Sequence, residues 1–154
     1  MDWLLANRPV LIGLHLGFAI IGIDGFLWLL GELFASEVNA RRARLAGMIG
    51  LVGFVGSWLL GGYYYLHYYG TLVKPEILAG SAPWAHAVAM EAKEHIFLFL
   101  VPMAIAVMAS LFATPDLASI KHSLRRVIAA MVVIAFTIGA MGYIISAAAR
   151  WATT

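Results

Sequence analysis

Cysteine is absent from this chain, which excludes disulfides, a covalently attached c-type haem and cysteine-ligated iron–sulfur clusters. Only His, Met, Asp and Glu remain as metal-ligating side chains. Charge is scarce too. Asp, Glu, Lys and Arg make up 12% of the 154 residues, against roughly 25% in a soluble domain. The net charge of +2 is small, and the basic residues fall in turns between apolar runs, as membrane topology alone demands. Nothing in their pattern suggests nucleic acid as a partner. What fills the sequence instead is apolar: 63% of the residues are hydrophobic, so the chain reads as an integral membrane protein.

Crossing a bilayer takes about 20 apolar residues in a helix. Residues 10–34, 46–69, 96–112 and 127–149 meet or approach that length. The third run is short, and Pro83 suits a helix start, so the third span is read as 84–112, with Glu91, Lys93 and Glu94 in the headgroup region. The N-terminus lacks a basic leader and a small-residue cleavage site, so the first run is expected to be retained as a span. The fold class is all-α, an integral membrane four-helix bundle in one domain, 1–154. Arg41, Arg42 and Arg44 fall in one turn, and Lys121, Arg125 and Arg126 in another. On the opposite side are Arg8, Lys74, Lys93 and Arg150. The positive-inside rule then puts the two basic turns in the cytoplasm and both termini outside, in a bacterial inner membrane.

Three histidines on three different spans lie at nearly the same depth. His15, His67 and His95 are 19, 21 and 17 residues from the basic-turn ends of their runs, roughly 26 to 32 Å at 1.5 Å per residue. Polar ionisable groups within spans are costly unless paired, wetted or metal-bound, and imidazole is the commonest haem and metal ligand. His86 falls further out and His122 in a basic turn, so both are expected in solvent or among headgroups.

The neighbouring residues suggest room for a flat ring. Below His15 the same helical face carries Ala19, Gly22 and Phe26, and below His67 it carries Tyr63, Leu60, Gly56 and Gly53. Alternatively these glycines serve close helix packing, as at Gly13 and Gly17 or Gly53 and Ser57. Pro102 is expected to kink the third helix and free a carbonyl at mid-bundle. The tyrosines of residues 61–70 read as an interfacial aromatic belt. Asp24 is expected to bond Ser57, Trp58 or Thr137, or to join a proton path. Glu32 is expected to reach water or a turn arginine. Trp58 and Phe54 are read as facing lipid or a partner helix.

A shift of 80 residues lays His15 on His95 and Arg41 on Lys121, which suggests an internal repeat. The repeat would place His15 and His95 across a pseudo-two-fold axis, as two axial ligands of one b-type haem. His67 would then be a substitute ligand or a propionate partner, with Gly22 and Tyr63 against the ring and Arg150 and Lys74 near the propionates. In the alternative, His15, His67 and His95 hold copper or zinc with Glu91 or Glu94 and with Met90 or Met103. The Glu-x-x-His motif of di-iron sites is absent.

Histidine early in the first span, then Gly22 and the run Asp24-Gly25-Phe26-Leu27-Trp28, with Tyr69-Gly70-Thr71-Leu72-Val73-Lys74 after the second span, resembles the copper-resistance-D-type membrane proteins. The pattern also resembles the small four-helix membrane b-type cytochromes. The resemblance implies a histidine-dependent haem or copper function and carries over His15 alone. The expected function is electron transfer by a haem b near the outer face, with a quinol or a redox protein as partner. The alternatives are a copper- or zinc-binding protein and a structural subunit of a larger membrane complex.

Overall fold

A computed structural model describes residues 2–151. Among these the chain is helical, without strands. Four helices are long and apolar enough to cross a membrane: Arg8–Phe34, Ala40–Ala79, Ala85–Ala113 and Lys121–Trp151. We call them the first to fourth helix. A short helix, Asp2–Ala6, precedes them, and a 3₁₀ turn, Leu117–Ser119, lies between the third and fourth.

Asparagines cap the first two helices. Asn7 Oδ1 accepts the Val10 amide at 3.4 Å, and Asn39 Oδ1 accepts the Arg42 amide at 3.0 Å, each quieting a donor that has no intrahelical partner. The second helix is longer than its hydrophobic run and continues to Ala79. At 40 residues it measures about 60 Å, twice the hydrocarbon thickness of about 30 Å. Its far part therefore stands clear of the lipid tails, beside the start of the third helix. Tyr69 and Ile77 there pack with Ala85, Ala89 and Met90 of the third helix and Ile145 and Ala148 of the fourth.

Between the first and second helices the glycines bring backbone onto backbone. A Cβ at Gly25 would collide with Gly50, and one at Gly53 with Gly22. Phe54 fills the space beside Gly22 and stacks on Phe26 with centroids 5.2 Å apart. The glycines thus serve close packing, and no room for a ring is left at Gly22. Phe54 is buried, contrary to its expected place facing lipid, whereas Trp58 is exposed. Pro102 lies on the outside of the bundle, so the carbonyl it frees is not offered to the interior.

At the basic-turn end two arginines make matching clamps. Arg125 Nε donates to the Leu33 carbonyl at 2.8 Å, and its guanidinium lies 4.3 Å over Phe34. Arg44 Nε donates to the Leu111 carbonyl at 2.9 Å, with its guanidinium 5.4 Å over Phe112. Each hairpin thus caps the C-terminal carbonyls of the other, on the same tripeptide, Leu33-Phe34-Ala35 and Leu111-Phe112-Ala113. Glu32, buried beneath, pairs with Arg42 Nη2 at 2.7 Å and accepts Trp28 Nε1 at 3.2 Å, so it meets a turn arginine.

Candidate functional site

The three same-depth histidines are held in one way but are not brought together. Nδ1 of His15 donates to the Ser57 carbonyl at 2.8 Å, with the Ser57 hydroxyl 3.0 Å away. Its ring packs against Gly61, where a Cβ would stand 2.6 Å from Nδ1. His67 and His95 are exposed. Each donates Nδ1–H to the carbonyl four residues earlier in its own helix, His67 to Tyr63 at 2.9 Å and His95 to Glu91 at 2.6 Å. Tyr63 stacks on the His67 ring, centroids 4.0 Å apart. His15 faces into the bundle while His95 faces out of it, so the two do not flank a common gap. Among the described residues no three His, Asp or Glu side chains are grouped to hold a metal ion. Two surface hollows, one at Trp3–Pro9 and one at Tyr143–Trp151, touch none of these histidines.

His86, expected in solvent or among headgroups, is buried at 7% exposure. The protruding part of the second helix covers it. The phenol of Tyr69, itself buried, donates to His86 Nδ1 at 3.0 Å. With the phenol as donor the ring proton sits on Nε2, which stands 3.9 Å from Glu91 Oε1, too far for a direct hydrogen bond. Glu91 is exposed. The set runs from a buried phenol through an imidazole to a carboxylate in contact with solvent.

The backbone here has an uncommon form. Tyr65–Val73 of the second helix and Ala85–Met90 of the third are π-helical, a wider winding that is rare and concentrates at functional sites. Its geometry brings these side chains together. In an α-helix, residues five apart diverge by about 140° around the axis, yet His86 and Glu91 face each other. The π turn at Tyr65–Val73 likewise carries Tyr69 to His86, with Tyr65 stacked on Tyr69 at 5.4 Å.

Glu94 completes the cluster. Its neighbours are Tyr65, Glu91, His86 and His95, and its Oε1 is shut off from solvent without a hydrogen-bond partner among the described residues. An acceptor in that position is costly to leave unpaired. Lys93, on the neighbouring face of the third helix, extends towards Gly142 of the fourth, where a Cβ would lie 3.7 Å from Nζ. Charge reaches from it towards His15 and Glu94.

Residue counting missed His86 because it lies outside the apolar run. The Glu91 five positions on, a spacing that pairs only in a π turn, was the available signal. Asp24 meets none of its expected partners: the Ser57 hydroxyl is engaged with His15, and Thr137 Oγ1 donates to the Val133 carbonyl at 2.9 Å. Met90 is buried in the cluster's apolar wall, and Met103 is half-buried against the main core. Compared with known proteins, the chain matches no protein-family profile, and neither a curated protein nor a solved structure shows significant similarity to it.

Proposed function

We propose that the protein is a membrane-embedded redox component that binds a quinol at the Glu94 cluster and carries the quinol's protons to the surface. The observation that supports this reading is Glu94 Oε1, shut off from solvent and without a hydrogen-bond partner among the described residues, although the Tyr65 phenol stands beside the carboxyl. A quinol hydroxyl is a donor that reaches such a place at the headgroup level of the bilayer. Oxidation of a quinol releases two protons, and its two electrons pass to a partner redox protein, which is the oxidant in this reading. His86, bonded to Tyr69 and directed at exposed Glu91, offers the protons a way out, since imidazole accepts at one nitrogen and releases at the other. Lys93 adds positive charge beside the site for an anionic intermediate. The basic turns face the cytoplasm of a bacterial inner membrane, and the cluster lies at the outer face.

The test is titration of the purified protein in lipid nanodiscs with a short-chain quinol analogue, read by tyrosine and tryptophan fluorescence. Glu94→Ala should weaken binding about 10- to 100-fold, the worth of a hydrogen bond to a charged group, while His122→Ala leaves it unchanged. Equal affinity in wild type and Glu94→Ala would overturn the reading.

A haem b as the electron acceptor is the second reading, favoured by one observation. His15, His67 and His95 each commit Nδ1 to a main-chain carbonyl, the arrangement that fixes the tautomer and presents Nε2 to an iron. His67 and His95 present theirs on the outside of the bundle. A pyridine haemochrome assay and a reduced-minus-oxidised spectrum of the purified protein decide it: a Soret shift supports haem, and its absence removes haem from the account. A copper- or zinc-loaded form would appear in elemental analysis of the same sample.

A further inference from the structure

Asp24 is a carboxyl group on the lipid-facing side of the first helix. It stands ten residues from the helix end at Phe34, about 15 Å along the axis and so close to the middle of a hydrocarbon layer about 30 Å thick. None of the hydrogen bonds or ion pairs among the described residues engages it, and it is not one of the residues with further contacts. Such a group in lipid is expensive and marks a contact to be made.

Its surroundings are built for one. Gly13, Gly17, Ile20, Asp24, Leu27 and Gly31 follow one another at alternating spacings of four and three, the a/d period of a left-handed helix pair. Gly17 is half-buried and the other five are exposed. A Cβ at Gly13, Gly17 or Gly31 would meet nothing within 4 Å. These glycines therefore do no packing inside the bundle, unlike Gly22 and Gly25 on the opposite side of the same helix.

We propose that this face of the first helix is the contact between two copies of the chain, related by a two-fold axis along the membrane normal, with the two Asp24 carboxyls bonded to each other at its centre. Hydrogen-bond complementarity selects a second copy. A parallel pair in register sets Asp24 against Asp24, where two carboxyls that share a proton supply each other with donor and acceptor, while the glycines at both ends let the backbones approach. This contact is independent of the quinol reading and uses none of its residues.

The absence of native cysteine makes the test clean. Single variants Ile20→Cys and Leu27→Cys, oxidised in native membranes, should form disulfide dimers, whereas Phe99→Cys and Val133→Cys, exposed on other helices, should not. In vesicles, Förster transfer between labelled copies should show self-association weakened about 3- to 15-fold by Asp24→Ala, the span of intramembrane hydrogen bonds. Asp24→Asn, which keeps a donor and an acceptor, should stay near wild type. Absence of cross-links at both seam positions, cross-links equally strong at the controls, or association unchanged by Asp24→Ala would overturn the proposal.

Discussion

His86 decides how the polar end of the bundle is held. It accepts from a phenol buried to 3% exposure, so His86→Ala leaves the Tyr69 hydroxyl without a partner in a dry place. The expected cost is about 1 to 3 kcal/mol, read as a lowered thermal midpoint in detergent. Tyr69→Phe removes donor and burial penalty together and should cost less. A larger loss for Tyr69→Phe than for His86→Ala would contradict the bond's assignment. His15 was readable as a distinct residue because a histidine in an apolar run is rare. Its use of Ser57 was not, since the two lie 42 residues apart and meet only because Gly61 lets the ring lie against the second helix.

Between elements, glycine position separates two kinds of contact on a single helix. Gly25 and Gly53 touch backbone of the neighbouring helix; a methyl group there must push the first two helices apart. Gly53→Ala should therefore destabilise by about 1 to 3 kcal/mol, the usual cost of overpacking. Gly13→Ala meets open space in a single copy and should leave the thermal midpoint of monomeric protein unchanged or slightly raised, alanine being the better helix former. The four spans were legible because hydropathy and length are properties of local sequence. The π-helical turns Tyr65–Val73 and Ala85–Met90 were not, since nothing in their composition departs from an ordinary interfacial helix. The second helix runs on to Ala79, where hydropathy ends near Tyr69, because Tyr69 and Ile77 find apolar partners on the third and fourth helices.

On the scale of the whole molecule, the clamps by Arg44 and Arg125 tie the two hairpins into one body. The matching is local and lies outside the 80-residue register: Leu33-Phe34-Ala35 and Leu111-Phe112-Ala113 stand 78 residues apart and the two arginines 81, yet each arginine enters from the opposite hairpin. Arg44→Ala and Arg125→Ala should each cost about 1.5 to 3 kcal/mol, the range for hydrogen bonds from charged donors, and by similar amounts; a clamp whose removal changes nothing would argue against the paired arrangement. His122→Cys at this end should react with an impermeant maleimide only after cells are permeabilised; reaction in intact cells would invert the topology. These arginines were legible as residues of the two turns, but their role as caps depended on knowing which helix ends they face.

The most direct test of the central claim, that Glu94 receives a quinol hydroxyl, is an infrared difference spectrum of the protein in nanodiscs with and without the quinol analogue. The account predicts a carboxyl band that shifts on addition of the analogue in wild type and is missing in Glu94→Gln. A spectrum in which no carboxyl band responds, or in which the same band persists in Glu94→Gln, would contradict it.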